Sequence, residues 1–158
     1  MTNKDLADLI FPNIDKTVED YEKMYPERNL PEGAMVTRFA PSPTGFVHMG
    51  SLLASFISRK AAKDTNGVFY LRIEDTDQKR EIQGSGAALL KELEIFGIIP
   101  NEGYLGDNLE KGIYGPYVQS KRESIYRTVI KEMIKRDLAY PCFCSSDDLA
   151  KLREEQEK

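Results

Sequence analysis

The chain contains no tryptophan, a single histidine and two cysteines in 158 residues. Cys142 and Cys144 stand one residue apart, which rules out a disulfide framework and suits a reducing compartment. Long apolar runs are also missing. The longest extend only a few residues, against the roughly 20 that a membrane-spanning helix requires. The opening Met1-Thr2-Asn3-Lys4-Asp5 carries an acid where a secretory or organellar leader needs basic and apolar residues, so the expected location is cytoplasmic. Nor is there a large excess of charge: 22 Lys and Arg face 26 Asp and Glu, for a net charge of -4. Acid is concentrated at the front, with 8 acidic and 4 basic side chains in residues 1–37. The balance excludes a bulk electrostatic footprint for nucleic acid but leaves room for a local basic face. No internal repeat or low-complexity tract appears. Gly-x-Gly-x-x-Gly, the Walker pattern and Gly-x-Ser-x-Gly are all absent. A dinucleotide oxidoreductase, a P-loop enzyme and a nucleophile-elbow hydrolase therefore lack their defining loops.

What is present is a well-patterned chain with 41% hydrophobic residues. It is enough for one compact domain, or one and a fraction, burying about 70% of its unfolded surface. Residues 1–34 carry two short helical patterns, around Leu6-Leu9-Ile10 and Val18-Tyr21-Met24, and are expected to form an appendage packed on the main domain. The run 35–40 is rich in β-formers and stops at Pro41-Ser42-Pro43-Thr44-Gly45. A helix is expected from about Gly50, with Leu52, Leu53, Phe56, Ile57 and Ala61 at helical spacing. Asn66-Gly67 ends it before a second strand over 68–73. Strand, helix and strand in under about 40 residues form a βαβ unit with parallel strands. A further helix presents Leu89, Leu90, Leu93 and Phe96 and stops at Gly97. Residues 100–118 read as loop. Ser120, with Glu123 as capping-box partner, opens a helix whose buried stripe is Ile125, Val129, Met133 and Ile134. A last helix starts near Ser145 or Ser146.

In an open α/β sheet, ligands bind beyond the carboxyl ends of the strands, and both unusual loops fall there. The first strand delivers the Pro-rich turn and then His48-Met49-Gly50-Ser51 at a helix start. Free amides and the helix dipole at such a place suit a phosphate, and a triphosphate is the natural guest. An isolated His-x-Gly-Ser would more simply be an exposed capping turn. The Pro-rich turn before it favours the ligand-binding reading. The second strand delivers Arg72 and Glu74-Asp75-Thr76-Asp77.

Four blocks, in this order and spacing, resemble the N-terminal half of bacterial glutamyl-tRNA synthetases: Arg38 to Gly45, His48 to Ser51, Leu71 to Asp77, and Gly115 to Arg122. The resemblance covers about residues 35–158. It implies an α/β fold, the first half of a class I Rossmann-type parallel sheet over 35–120, followed by the start of an acceptor-stem-binding insertion over 121–158. It also implies the chemistry. The carboxylate of L-glutamate attacks the α-phosphate of ATP, and the adenylate is passed to the terminal ribose of tRNA(Glu). No protein nucleophile is required, so the motifs are turns, glycines and a histidine that position and stabilise charge.

Carried over by position, Arg38 pairs with a substrate carboxylate, Ala40 and Ser42 complete that pocket, and Glu74 binds the α-ammonium. Arg38 as a structural partner of Glu74 or Asp75 is the competing reading. Pro41, Thr44, Gly45, His48, Gly50 and Ser51 face ATP, with His48, Gly50 and Ser51 closest to the chemistry. Magnesium is expected through nucleotide phosphates and water, which leaves Asp75 and Asp77 to cap the following helix. Cys142 and Cys144 resemble half of a zinc site, but zinc needs four ligands and no second pair follows, so zinc is not expected here.

The Ala-Pro-Ser-Pro-Thr-Gly and Ile-Glu-Asp-Thr-Asp blocks favour glutamate over glutamine. A glutamyl-queuosine paralogue, a stand-alone glutamate or nucleotide-binding module, and another nucleotidyltransferase with the same His-x-Gly turn are the alternatives. No Lys-x-Ser-Lys loop occurs, so the chain is expected to be a fragment unable to aminoacylate alone; a monomer is expected.

Overall fold

The computed structural model describes residues 1–43, 47–77, 85–106 and 109–157. Along the chain run α1 (Asn3–Ile10), α2 (Val18–Met24), β1 (Val36–Phe39), α3 (Met49–Asp64), β2 (Val68–Leu71), α4 (Ser85–Ile95), β3 (Glu102–Tyr104), β4 (Glu110–Lys111), α5 (Glu123–Lys135) and α6 (Ser146–Gln156). Two compact units result: Glu19–Tyr126 is one, and Met1–Val18 together with Arg127–Lys158 is the other.

The larger unit is a four-stranded sheet in the order β1-β2-β3-β4. β1 and β2 pair in parallel with Arg38 opposite Tyr70 and Phe39 opposite Leu71. β2 and β3 are also parallel, and β4 returns antiparallel to β3. The expected α/β class with a parallel sheet is therefore what forms. Alternation along the strands decides the faces. Phe39, Phe69, Leu71 and Ile73 point to one side, where they pack with Ala62 of α3, with Leu89 and Leu93 of α4, and with Ile98. Arg38, Tyr70 and Arg72 alternate with them and fall on the opposite side.

Several details depart from the sequence pattern. In α3 the fully buried residues are Ser55 and Ala62, while Leu53, Phe56 and Ile57 are exposed. Small side chains let the helix lie close to the sheet, so the closest contact is not made along the most apolar stripe. Phe96 is likewise exposed, and Ile98 takes its expected place in the core. Gly97, at φ +64, turns the chain out of α4. The Gly97 N–H bonds the Glu94 carbonyl and the Ile98 N–H bonds the Leu93 carbonyl, both at 2.8 Å. This double closure folds Ile98 back onto Leu93.

The expected loop at 100–118 contains β3 and β4. β3 is hidden in the sequence because Gly103 stands in its centre at φ +124, where a Cβ would lie 2.2 Å from the Leu71 carbonyl oxygen. Glycine there lets β3 approach β2 closely.

A 3-10 turn over Gln119–Arg122 leads into α5, and its cap residue is Val118, with no side-chain cap bond. Ser120 is therefore not the N-cap that the pattern suggested. The stripe expected on α5 also shifts: Thr128, Lys131 and Ile134 are the buried residues, and Val129 and Met133 are exposed.

In the smaller unit, α1 opens with a capping box between Thr2 and Asp5, and α6 opens with another between Ser145 and Asp148. Buried Lys131 donates to the carbonyls of Phe11 (3.0 Å) and Ile14 (3.2 Å) and pairs with Asp8 at 2.9 Å. It thus closes the C-terminal end of α1, where unpaired carbonyls favour a cation. That hydrogen bond from Lys131 holds the Asp8 carboxyl below its usual range.

Candidate functional site

The β1–β2 ladder continues past both strands. The Arg72 N–H bonds the Phe39 carbonyl at 3.1 Å and the Glu74 N–H bonds the Pro41 carbonyl at 2.9 Å. This extension places the Glu74 carboxylate beside the Arg38 side chain at the carboxyl ends of two parallel strands. The Arg38 Nη1 lies 3.2 Å from Glu74 Oε1, and Arg72 donates its Nη2 to the same oxygen at 3.0 Å. Arg38 is the most open member of the trio, with 39% of its side chain exposed against 28% for Glu74 and 16% for Arg72. One carboxylate is thus shared between an outer and an inner guanidinium, and a positive charge remains over.

Of the other expected residues, Ala40 and Pro41 are half-buried and Ser42 is exposed, on the same turn. Thr44 and Gly45 lie outside the described residues. His48 is the N-cap of α3, one residue nearer the helix than the spacing suggested, and its side chain makes no cap bond. Gly50 and Ser51 fall in the first helical turn, where backbone N–H groups lack intrahelical acceptors. A Cβ at Gly50 would meet nothing within 4 Å among the described residues, so packing there does not demand glycine. Glu92 of α4 holds this entry by accepting the Val47 N–H at 3.1 Å.

Asp75 caps a helical start, but not that of the following helix. It accepts the Ser120 N–H at 2.8 Å and the Ser120 hydroxyl at 2.6 Å, at the turn before α5. With the Ile73–Val118 parallel bridge, this ties the 115–122 block to the end of β2. The segment between Asp77 and α4 includes residues outside the described set.

Sequence reasoning placed Arg72 at the end of the second strand without giving it a role, and it missed Glu92 and the partner of Asp75. The pairing of Arg72 with Glu74 is foreshadowed by the alternating Tyr70, Arg72, Glu74 set. The other two are long-range contacts that leave no local signal.

Cys142 and Cys144 are both free and exposed. Hydrogen bonding from Cys144, through its backbone and then its thiol, lowers the Cys142 pKa, and the bond to Cys142 raises that of Cys144. Among the described residues, no three of His, Cys, Asp and Glu gather in a metal-binding group. Two thiols alone do not fit a zinc centre. No described helix is long and apolar enough to cross a membrane.

Parallel strands with a charged pair at their carboxyl ends are the arrangement of an open α/β domain. Residues 34–158 match the family model of tRNA synthetases class I (E and Q), catalytic domain, and the chain belongs to that family. It is 53% identical over 156 residues to the glutamate–tRNA ligase of Clostridium perfringens, covering 99% of this chain and 29% of the relative. It is 50% identical over 157 residues to that of Acetivibrio thermocellus, with the same coverages. A crystal structure of a glutamate tRNA ligase from Elizabethkingia meningosepticum, in complex with its amino acid, superposes with a TM-score of 0.68 at 38% identity. That match covers 78% of this chain and 24% of the other. The chain thus spans under a third of the length of these curated relatives.

Proposed function

We propose that the chain supplies the amino-acid-binding part of a glutamate–tRNA ligase, which joins L-glutamate to tRNA(Glu) at the expense of ATP. The observation that carries this reading is the Arg38–Glu74 pair at the carboxyl ends of β1 and β2. Free glutamate bears an ammonium and two carboxylates. An exposed guanidinium and a carboxylate about 3 Å apart offer it complementary partners: Arg38 for a carboxylate and Glu74 for the ammonium. Arg38 is both partner of Glu74 and ligand of substrate in this reading, and its fork of donors serves both. Ala40 and Ser42, on the turn that follows Arg38, border the bound amino acid.

His48, Gly50 and Ser51 at the start of α3, with Pro41, face the ATP phosphates, and the resemblance gives Thr44 and Gly45 the same role. The free amides of the first turn and the His48 side chain stabilise charge as it develops there. The substrate carboxylate oxygen forms the bond to the α-phosphorus, the bond to pyrophosphate breaks, and the chain's residues orient both groups. Among the described residues nothing packs against position 50, which supports close approach of a ligand to that backbone. Magnesium would be held through nucleotide phosphates and water. Residues 121–158 are read as the beginning of the part that meets the acceptor end of tRNA, in a monomeric cytoplasmic enzyme.

The test is steady-state kinetics on the longer protein. Arg38→Ala should raise the glutamate KM at least tenfold with the ATP KM changed by less than about threefold. Equal loss for both substrates would reject the assignment of Arg38 to glutamate.

A further inference from the structure

A cavity of about 250 Å³ opens within the larger unit, apart from the turn assigned to ATP. Its walls are Arg28, Arg72, Arg122, Val36 and four tyrosines, and among the described residues no carboxylate lines it. The three guanidinium groups differ in how they are matched. Arg28 forks onto both carboxylate oxygens of Glu102, and its guanidinium carbon lies 3.8 Å from the centre of the Tyr114 ring. Arg72 reaches Glu74 through Nη2 alone and shares that carboxylate with Arg38. Arg122 bonds only the carbonyls of Pro116 (2.8 Å) and Tyr114 (3.4 Å) and meets no carboxylate among the described residues.

The Nε atoms of Arg72 and Arg122 are both buried without a hydrogen-bond partner among the described residues. Two arginines from distant parts of the chain, each with a buried unmet Nε, thus line the same cavity. Unmet buried donors are costly, and those of a charged group most of all. Planar guanidinium donors match the geometry of carboxylate and phosphate oxygens. The volume falls below the roughly 300–1,000 Å³ of sites for drug-sized ligands, which points to a compact guest.

We propose that this cavity binds a small oxyanion, a phosphate or a carboxylate, held by Arg72 and Arg122 among the tyrosine rings. The inference stands whether or not Glu74 binds the ammonium of glutamate.

The experiment titrates the chain with sodium phosphate and, separately, with sodium succinate, at constant ionic strength made up with sodium chloride. It follows the Nε–H NMR signals of Arg72 and Arg122 and the thermal midpoint. The expected result is a saturable shift of both signals, with a rise in Tm that chloride does not reproduce. A response to phosphate alone or to succinate alone identifies which oxyanion the site takes. Arg122→Gln should weaken binding at least tenfold. Val36→Glu, which adds a carboxylate to the wall at an exposed position, should abolish the response and raise Tm without added anion. If Arg122→Gln does not fold, Val36→Glu still decides. Shifts that stay linear in concentration, that chloride matches, or that survive Val36→Glu would overturn the proposal and leave the cavity to water.

Discussion

Replacing Glu74 by glutamine tests how the site is held together without requiring catalysis. The substitution keeps the shape and one acceptor oxygen but removes the charge that Arg38 and Arg72 share. Arg72 has only 16% of its side chain exposed, so its pair with Glu74 is poorly screened. A hydrogen bond to a charged group contributes about 1.5–3 kcal/mol in such a setting. Arg38 is 39% exposed, and its share falls to the 0–1 kcal/mol typical of surface pairs. Glutamine still accepts one bond, so the expected destabilisation is about 2 kcal/mol, most of it through Arg72. Arg38→Ala should cost less than about 1 kcal/mol by the same argument. Urea unfolding of the chain followed by circular dichroism reads both numbers. At a slope of about 1–3 kcal/mol per molar, Glu74→Gln should lower the midpoint by about 1 M with the slope unchanged. A loss under about 0.5 kcal/mol, or an Arg38→Ala variant that loses as much, would refute the unequal sharing inferred here.

Gly103→Ala should cost more than about 3 kcal/mol, because the new Cβ would lie 2.2 Å from the Leu71 carbonyl oxygen at a φ of +124; a loss below about 1 kcal/mol by the same unfolding assay would refute this. The phenol of Tyr117 is pushed up to about 12, mainly by burial and then by the charge of Glu102. Because the folded pKa lies above the ordinary value near 10, the associated stability is complete below pH 10 and is lost as pH rises towards 12. The loss amounts to about 2–3 kcal/mol, and a Tyr117→Phe variant with the same pH slope as the parent would contradict it. Lys131→Met should return the Asp8 carboxyl upward toward its ordinary pKa, as read by carboxyl carbon NMR. In the parent chain the contribution of that pair is present above about pH 4 and disappears as pH falls through the lowered Asp8 value. An unchanged Asp8 titration in the variant would show that Lys131 is not the cause.

Where the candidate residues sit was largely legible because the signals for their placement are local. Arg38, the Pro-rich turn, His48 to Ser51 and Glu74 are close in sequence to the strand ends or helix start that present them. Alternation in 68–73 and helical spacing in 85–97 were enough to order β1, α3, β2 and α4 into a parallel α/β unit. The tertiary structure decided what local patterns could not encode. The close approach of α3 to the sheet selected Ser55 and Ala62 over the more apolar Leu53, Phe56 and Ile57. β3 escaped notice because Gly103 has no strand propensity, and only the backbone of β2 beside it explains the residue.

The sequence by itself determined which residues occupy the ends of the two parallel strands, since a period of two and a turn suffice for that. Which charges share a carboxylate was settled only by folding. Glu74 sits between Arg38 and Arg72, Asp75 receives Ser120 from 45 residues away, and Arg72 and Arg122 meet at one cavity. Burial sets the strength of each of these pairings, and burial is a property of the packed chain.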